Sequence, residues 1–496
     1  MIQLTSSTRD IVAKLWKLCD VLRDDGITYH LYVTELTYLL FLKMMAETGR
    51  ESLLPDGYRW QDLARLEGES QLTHYKQMLL DLGSSALDKQ HLGDAKTKAI
   101  FADAQTSLRR PTNLKALTEA IDQLDWFSAR EEGLGNLYEG LLEKNAGEKK
   151  SDAGQYFTPR PLIDCMVRLT KPRPGEVIQD PAAGTGGFLV AADRYIKDQT
   201  DDLYSLTTEQ QHFQRTSAMT GLELVPDTHR LCLMNLMLHG IDSMVGLGDT
   251  LSPDGQDLGK ADVILTNPPF GTKKGGGRPT RSDFSITADT SNKQLAFIEH
   301  IYRALKPGGR AAVVLPDNVL FEDNIGRRLR HELMERCNVH TILRLPTGIF
   351  YAQGVKTNVV FLSRGTSDRG NTHGVWVYDM RANGPSYGKT RLLTVEDFSD
   401  FEACFGDDPY GQSERRDQGE TGRFRRFTRE QVAERNDNLD IAWLRDESGD
   451  PEDELTGPDE FAAAIAQHLR NALEEIEALT EEVILVVDTE SESVLG

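Results

Sequence analysis

Glu176-Val177-Ile178-Gln179-Asp180-Pro181-Ala182-Ala183-Gly184-Thr185-Gly186-Gly187-Phe188 decides the fold of this chain. The first five residues predict a strand, the glycines a tight turn with room for a ligand, and Phe188-Leu189-Val190-Ala191-Ala192 the helix that follows. That succession is how an open α/β sheet presents a nucleotide-like ligand, and by itself it would suit an NAD or FAD enzyme. About 80 residues further on, Ala261-Asp262-Val263-Ile264-Leu265-Thr266 predicts a buried strand closed by Asn267-Pro268-Pro269-Phe270. Its two prolines fix the backbone and remove two amide donors, so carbonyl oxygens are left to accept. Two such tetrads, each ending an apolar strand, point to one active site.

A side-chain amide, a bare carbonyl and an aromatic face suit a flat substrate that carries an exocyclic amino group. Asn267 Oδ1 and the Pro268 carbonyl both accept from an NH2, while Phe270 stacks on the ring. An amino group conjugated with a purine is a poor nucleophile because its lone pair is delocalised; two acceptors on its hydrogens favour a pyramidal nitrogen and aim that pair outward. The matching electrophile is a methyl sulfonium, which needs alignment and neither a metal nor a covalent enzyme intermediate. The expected chemistry is methyl transfer from S-adenosylmethionine to an amine. Gly184, Thr185 and Gly186 then let the backbone approach the methionine part, and Asp180 receives its ammonium. Glu223, near the end of Ala218-Met219-Thr220-Gly221-Leu222-Glu223-Leu224, accepts both ribose hydroxyls, and Asp249 meets the adenine amine. Ala182, Gly187 and Phe188 complete the expected cofactor turn. Each acid also has a plain reading, as a strand-end turn former or a surface carboxylate.

These residues resemble the amino-methylating DNA methyltransferases, and three more stretches extend the resemblance to the modification (M) subunit of type I restriction-modification systems. Gly154-Gln155-Tyr156-Phe157-Thr158-Pro159-Arg160 is similar to that family's cofactor-closing segment, although by residue type alone Tyr156 and Phe157 read as a core pair. Ser291-Asn292-Lys293-Gln294-Leu295-Ala296-Phe297, followed by Leu305 to Pro316, is similar to the stretch after the family's catalytic tetrad. Leu345-Pro346-Thr347-Gly348-Ile349-Phe350-Tyr351 is similar to a later landmark. The resemblance covers roughly residues 130 to 365, with no departure at the catalytic positions. It implies a Rossmann-like S-adenosylmethionine-dependent methyltransferase domain, with Asn267, Pro268, Pro269 and Phe270 catalytic and Gln155 to Arg160 touching the cofactor. It further implies N6 of adenine in double-stranded DNA as the target, protecting host DNA from restriction. A separate specificity (S) subunit would choose the site, a restriction (R) subunit would cleave, and two M subunits would serve each specificity subunit.

At 496 residues the length allows about three domains, and 39% apolar residues is ample for a buried core. Five scattered cysteines without a CxxC pair disfavour a zinc site or a disulfide framework and fit a reducing cytoplasm. The first residues lack a basic stretch leading into a long apolar run, and no segment reaches the ~18 apolar residues of a membrane span. The formal net charge of -22 is concentrated: residues 430–496 hold 20 acidic and 3 basic residues, or -17, leaving -5 for the rest. Nothing in the chain is a basic domain that wraps DNA, although phosphate neutralisation dominates nucleic-acid affinity. Sequence-specific binding is therefore expected on another subunit.

Along the chain, residues 1–150 predict a helical domain, with Ile11, Leu15, Leu18 and Leu22 at helical spacing and an apolar run from Leu36 to Met45. Residues 151–370 alternate short β-branched runs with helical stretches, which predicts a mostly parallel sheet covered on both faces. Residues 371–457 read as a mixed, loop-rich extension. Within it the 414–429 stretch interleaves cations and aromatics at Arg423-Phe424-Arg425-Arg426-Phe427, either a grip on phosphate and bases or a solvated loop. Lys273-Lys274-Gly275-Gly276-Gly277-Arg278 leaves the same pair of alternatives open. In residues 458–496, Ile465, Leu469, Leu473, Ile476 and Leu479 form a stripe that predicts an amphipathic helix for docking a partner or for packing on its own catalytic domain.

Two other functions stay open at this point. An amide NH2 on a protein glutamine, or an RNA base, would fit the same acceptors; alternatively the chain is a non-catalytic assembly subunit with relic motifs, which intact Asp180, Asn267 and Phe270 disfavour. No Walker A loop is present, so translocation would belong to another subunit.

Overall fold

The computed structural model describes residues 6–27, 32–84, 95–126, 134–148, 158–271, 277–350, 356–385, 387–388 and 391–444. Contacts divide the chain into two compact units: Met1–Phe157 with Lys171–Thr250, and Thr158–Thr170 with Leu251–Gly496.

In the first unit the N-terminal stretch is helical, with its longer helices at Ser6–Lys17, Tyr32–Glu47, Gly68–Gly83, Pro111–Asp122 and Leu134–Glu148. Ile11, Leu15 and Leu22 are buried as their spacing predicts, while the helix breaks at Leu18 and restarts at Cys19. The apolar run from Leu36 to Met45 is buried on all sides except for no more than a few per cent of any apolar side chain. Three short parallel strands follow, β1 (Ile178–Asp180), β2 (Met219–Glu223) and β3 (Gly246–Leu247), ordered β3-β2-β1. Gly221 lies opposite Asp180, and a Cβ there would stand 2.4 Å from the Asp180 carbonyl oxygen, so only glycine permits that pairing. Residues 200–214, which lengthen the connection between the two strands, include the start of the helix Thr208–Thr216, capped by the Thr207 hydroxyl. Gln214 Nε2 donates to the buried Asp193 at 3.0 Å, and the strand that follows ends on Glu223.

The N-terminal helices are joined to this sheet by buried cations. Arg230, on the helix Pro226–Leu238, donates to the carbonyls of Ile100 at 2.7 Å and Ala102 at 2.9 Å and lies over the Tyr38 ring. Lys96 donates to the Ile241 carbonyl at 2.6 Å. Each cation satisfies carbonyls that helix and loop ends leave over, which is what makes its burial tolerable.

The second unit holds β4 (Ala261–Thr266), β5 (Leu305–Pro316), β6 (Cys337–Arg344), β7 (Thr357–Arg364), β8 (Gly374–Asp379) and β9 (Phe424–Thr428), in the order β4-β5-β7-β6-β8-β9. β4 and β5 are parallel, as a strand–helix–strand pattern predicts. β7 instead runs antiparallel to both β5 and β6, so the expectation of a mostly parallel sheet fails in this half. The cause is the link from β6 to β7, which carries no crossover helix among its described residues and so returns the chain beside its own strand.

Residues 371–457 are also more regular than expected, because β8 and β9 continue this sheet. The Arg423–Phe427 run is largely the strand β9: Phe424 is buried and stacks on Trp376 at 4.7 Å, and Arg423 donates to the Asp379 and Asn383 carbonyls. It is therefore not a free loop. Of the 273–278 run, residues 273–276 lie outside the described residues, as does the whole 458–496 segment. Among the described residues no helix is long and apolar enough to cross a membrane.

Candidate active site

The turn after β1 is held by its own backbone. Asp180, only 1% exposed, accepts from the Ala182 N–H at 3.1 Å; the Ala183 N–H reaches the Leu222 carbonyl, and the Gly186 N–H the Ala183 carbonyl. Gly184 and Gly186 have φ of +54° and +81°, which glycine adopts without strain, and Gly186 caps the helix Gly187–Gln199. A Cβ on Gly186 would meet Cys232 Sγ at 3.0 Å and Leu236 behind it. Its glycine is thus required by the left-handed turn and by close packing on the helix Pro226–Leu238. Phe188 is buried and Gly187 begins the helix, whose N-terminal amides favour an anionic group.

Glu223 closes β2 beside that turn. Its carboxylate accepts from the Gly184 N–H and from the Val225 N–H, each at 2.8 Å. Burial pushes its carboxyl above the usual range, against the pull of those N–H groups. Each carboxylate oxygen keeps a second lone pair for another donor. Asp249 follows β3, next to Thr250, whose hydroxyl donates to the Pro181 carbonyl, and the Gly248 N–H donates to the Glu223 carbonyl. Thus Asp180, Ala182, Gly184 to Phe188, Glu223 and Asp249 gather at one end of β1, β2 and β3.

Two contributors here were not singled out in the sequence. Asn235 donates from Nδ2 to the Thr185 carbonyl at 2.9 Å, fixing the glycine turn from the neighbouring helix. Leu224, Val225 and Leu247 remain 60%, 46% and 53% exposed around Glu223, an apolar rim suited to a flat ring. The visible signal for the rim was an apolar pair directly after the acid; for Asn235 there was none.

In the second unit β4 is buried and delivers Asn267 at its end. Asn267 Nδ2 donates to Thr158 Oγ1 at 3.0 Å, and Asn267 Oδ1 is buried with no hydrogen-bond partner among the described residues. Thr158, 7% exposed, was expected beside the cofactor; the contact found is to Asn267. Pro159 starts the helix Arg160–Thr170 by accepting from the Leu162 and Ile163 N–H groups, while residues 155–157 lie outside the described residues. Pro268 is buried, Pro269 and Phe270 are half-buried, and Phe350 stands edge-on to the Phe270 ring at 6.3 Å and 74°.

The loop carrying Phe350 is pinned from β5, β7 and the end of β8. Arg381 makes two bonds to Asp317, at 2.8 and 2.9 Å, and donates to the Leu345 carbonyl, while Asn358 also donates to Asp317. Burial alone would raise the Asp317 carboxyl; the Arg381 guanidinium outweighs it and holds the group below the usual range. Gly348 has φ of +81° and sits so close to Tyr387 that a Cβ would fall 1.9 Å from its carbonyl oxygen, which explains the glycine in Leu345–Tyr351. Asn292, in the Ser291–Phe297 stretch, is the N-cap of the helix Lys293–Ala304 and donates to Glu322, whose carboxyl burial has pushed up to about 7.

A family model for N-6 DNA methylases matches residues 129–450. The type I restriction enzyme EcoKI methylase subunit of Escherichia coli (strain K12) is 48% identical, across 96% of this chain and 96% of that one. The chain belongs to the N-6 DNA methylases, as a methylase subunit of the type I restriction enzymes. The crystal structure of the EcoKI M protein aligns with a TM-score of 0.56 and 44% identity over 96% of both chains. A chain from a study of complex assembly and conformational transition in the type I system aligns at 0.68 with 26% identity, over 96% of this chain and 98% of that one. This N-6 DNA methylase therefore has the α/β fold of the S-adenosylmethionine-dependent methyltransferases, and it is an adenine-specific DNA methyltransferase subunit.

Proposed function

We propose that this subunit transfers a methyl group from S-adenosylmethionine to N6 of adenine in double-stranded DNA, at a site chosen by a separate specificity subunit. The observation that carries the reading is Asn267 Oδ1: a buried acceptor without a partner among the described residues, at the end of a buried strand and followed by two residues that have no N–H. A buried acceptor left open costs stability, and an incoming amine repays that cost in the complex.

The donor-side residues fit the cofactor. Asp180 would take the ammonium, Glu223 the ribose hydroxyls, and the rim of Leu224, Val225 and Leu247 the adenine ring, with Asp249 toward its amine; the helix terminus at Gly187 would face the carboxylate. S-adenosylmethionine, when bound, supplies a methyl group on a positively charged sulfur. On the acceptor side, Phe270 stacks on the extruded base, while Asn267 Oδ1 and the Pro268 carbonyl accept from the two N6 hydrogens and so localise the nitrogen lone pair. That pair forms the new N–C bond, the electrons of the S–C bond leave with the sulfur, and N6 then gives up one proton to solvent. These acceptors act most strongly as positive charge develops on N6, so they favour the transition state over the ground state.

The division of labour is part of the same proposal: residues 1–150 as helical scaffold, 151–370 as the catalytic region, 371–457 as its extension and 458–496 as the docking helix. The partners would be DNA, the specificity subunit and the restriction subunit, with two copies of this chain per specificity subunit, acting in the cytoplasm. The deciding experiment mixes the purified chain and its specificity subunit with DNA and labelled S-adenosylmethionine and identifies the methylated base. N6-methyladenine that disappears with Asn267→Ala supports the reading; label on cytosine, RNA or a protein glutamine instead would sink it.

A further inference from the structure

We propose that the N-terminal helical region positions the S-adenosylmethionine turn, through a chain of side chains that runs from Glu139 by way of His239 and Asn235 to Thr185. Glycines at 184 and 186 leave this turn little stiffness of its own, and a peptide plane beside a glycine turns over readily. The Thr185–Gly186 plane is therefore held by its neighbours. The Ala183 carbonyl takes the Gly186 N–H, and Asn235 Nδ2 donates to the Thr185 carbonyl at 2.9 Å. A backbone carbonyl only accepts, so this bond also fixes which way round the Asn235 amide stands.

The chain continues behind the turn. The Asn235 carbonyl accepts from His239 Nδ1 at 2.9 Å, and for the same reason the ring carries a proton on Nδ1. Its other nitrogen, Nε2, faces the Glu139 carboxylate at 3.5 Å. Two bare acceptors there would repel each other, so one proton stands between them, on the ring or on the carboxyl. Glu139 is 4% exposed and lies on the helix Leu134–Glu148. One turn earlier on the same face of that helix, Gly135 makes room for the ring: a Cβ there would lie 2.5 Å from its Cε1 and Nε2. The N-terminal helix thus seats the ring whose opposite nitrogen is bonded to the residue that holds the cofactor turn.

This inference rests on the reading of the glycine turn as the S-adenosylmethionine site, and the test separates the two. In the full chain bound to its specificity subunit, Asn235→Leu should raise Kd for S-adenosylmethionine about 10-fold, the scale of one lost hydrogen bond. Glu139→Leu should raise it about 3- to 10-fold, while Glu139→Gln should stay within about twofold of wild type, because its amide can turn to meet either form of the ring. In an Asn235→Leu background, Glu139→Leu should add less than about twofold, since the chain is already cut at its last link. A packing role predicts a lower Tm with Kd unmoved, or losses in Kd that multiply in the double variant; either result overturns the proposal, as does a Glu139→Gln chain that binds as weakly as Glu139→Leu. Should the leucine variants fail to fold, Glu139→Gln and Asn235→Asp carry the test. Asn235→Asp sets a carboxylate against the Thr185 carbonyl, so its Kd relative to wild type should be raised at about pH 8 and recover toward about pH 5, as the carboxyl gains a proton that it can donate. A ratio that does not change with pH overturns the proposal. A wild-type chain that binds no S-adenosylmethionine would remove the cofactor reading first, and this role with it.

Discussion

The glycine turn after β1 and the Asn-Pro-Pro-Phe tetrad after β4 are both strand ends, yet they treat their polar atoms in opposite ways. At the turn, Glu223 already accepts from Gly184 and Val225, and the backbone amides of Ala182, Ala183 and Gly186 all have partners. At the tetrad, one side of a single amide is occupied and the other is left open in a buried place. A ligand that only has to be held can be met by a preformed cradle whose acids keep spare lone pairs. A group that has to be activated needs an acceptor with nothing else to satisfy it.

The largest expected effect tests that contrast at its open end. Asn267→Ala should lower kcat by about 10²- to 10³-fold, the scale for losing one preorganised transition-state contact, while calorimetry shows S-adenosylmethionine affinity nearly unchanged. If the variant turned over at close to the wild-type rate, the tetrad would be no more than a strand cap.

Next in size is Phe270→Ala, which should weaken capture of the base by about 1–3 kcal/mol, the range for a base stacked on an aromatic ring. Phe270→Tyr should keep most of the activity. Fluorescence of 2-aminopurine at the target position checks both.

On the closed side, Gly186→Val should destabilise the first unit by about 1–3 kcal/mol through its left-handed backbone and the Cys232 contact, seen as a lower Tm. Loss of cofactor affinity at an unchanged Tm would instead show a direct role in binding.

The smallest effects are pH dependences that separate the two regions. Glu223 and Glu322 both have carboxyls raised by burial, so each favours its protonated form in the folded chain. For Glu322 this stabilisation is complete below its unfolded value and is lost as pH rises through about 7, so Glu322→Gln should flatten Tm between about pH 5 and 8. Ribose hydroxyls donating to Glu223 favour its charged form and lower its pKa. Cofactor binding should therefore release protons at acidic pH, where Glu223 is partly protonated, and calorimetry there in buffers of different ionisation enthalpy should detect that release in wild type and not in Glu223→Gln.

How much of this was legible in the sequence follows from how local each device is. The strand, turn and helix around Asp180 and the buried strand before Asn267 are written in contiguous residues, and they fold as read. The antiparallel entry of β7 was not legible, because it depends on a connection that lacks a crossover helix, and absence leaves a weak pattern. Thr158 meets Asn267 from 109 positions away, and Asn235 meets Thr185 from 50; no spacing rule links such pairs. Gly348 and Gly221 looked like ordinary glycines until Tyr387 and Asp180 were seen against them. The strand at Arg423–Phe427 was not legible as one because an alternation of cation and aromatic suits a loop as well as a sheet-edge strand with one buried face.

The interleaving of the two units bears on how the protein is made. Synthesis runs from the N-terminus, so the helix Arg160–Thr170 leaves the ribosome before Lys171–Thr250, which belongs to the other unit. Its own partners come later still: β4 and β5, then Glu402, which pairs with Arg168. The helix must therefore wait, unpaired, while some 80 intervening residues fold, although such a closure costs only logarithmically in chain length. A nascent chain thus completes β1, β2 and β3 first. Thr158 and Asn267 can meet only once β4 has emerged, so their contact forms after the strands of the first unit are out.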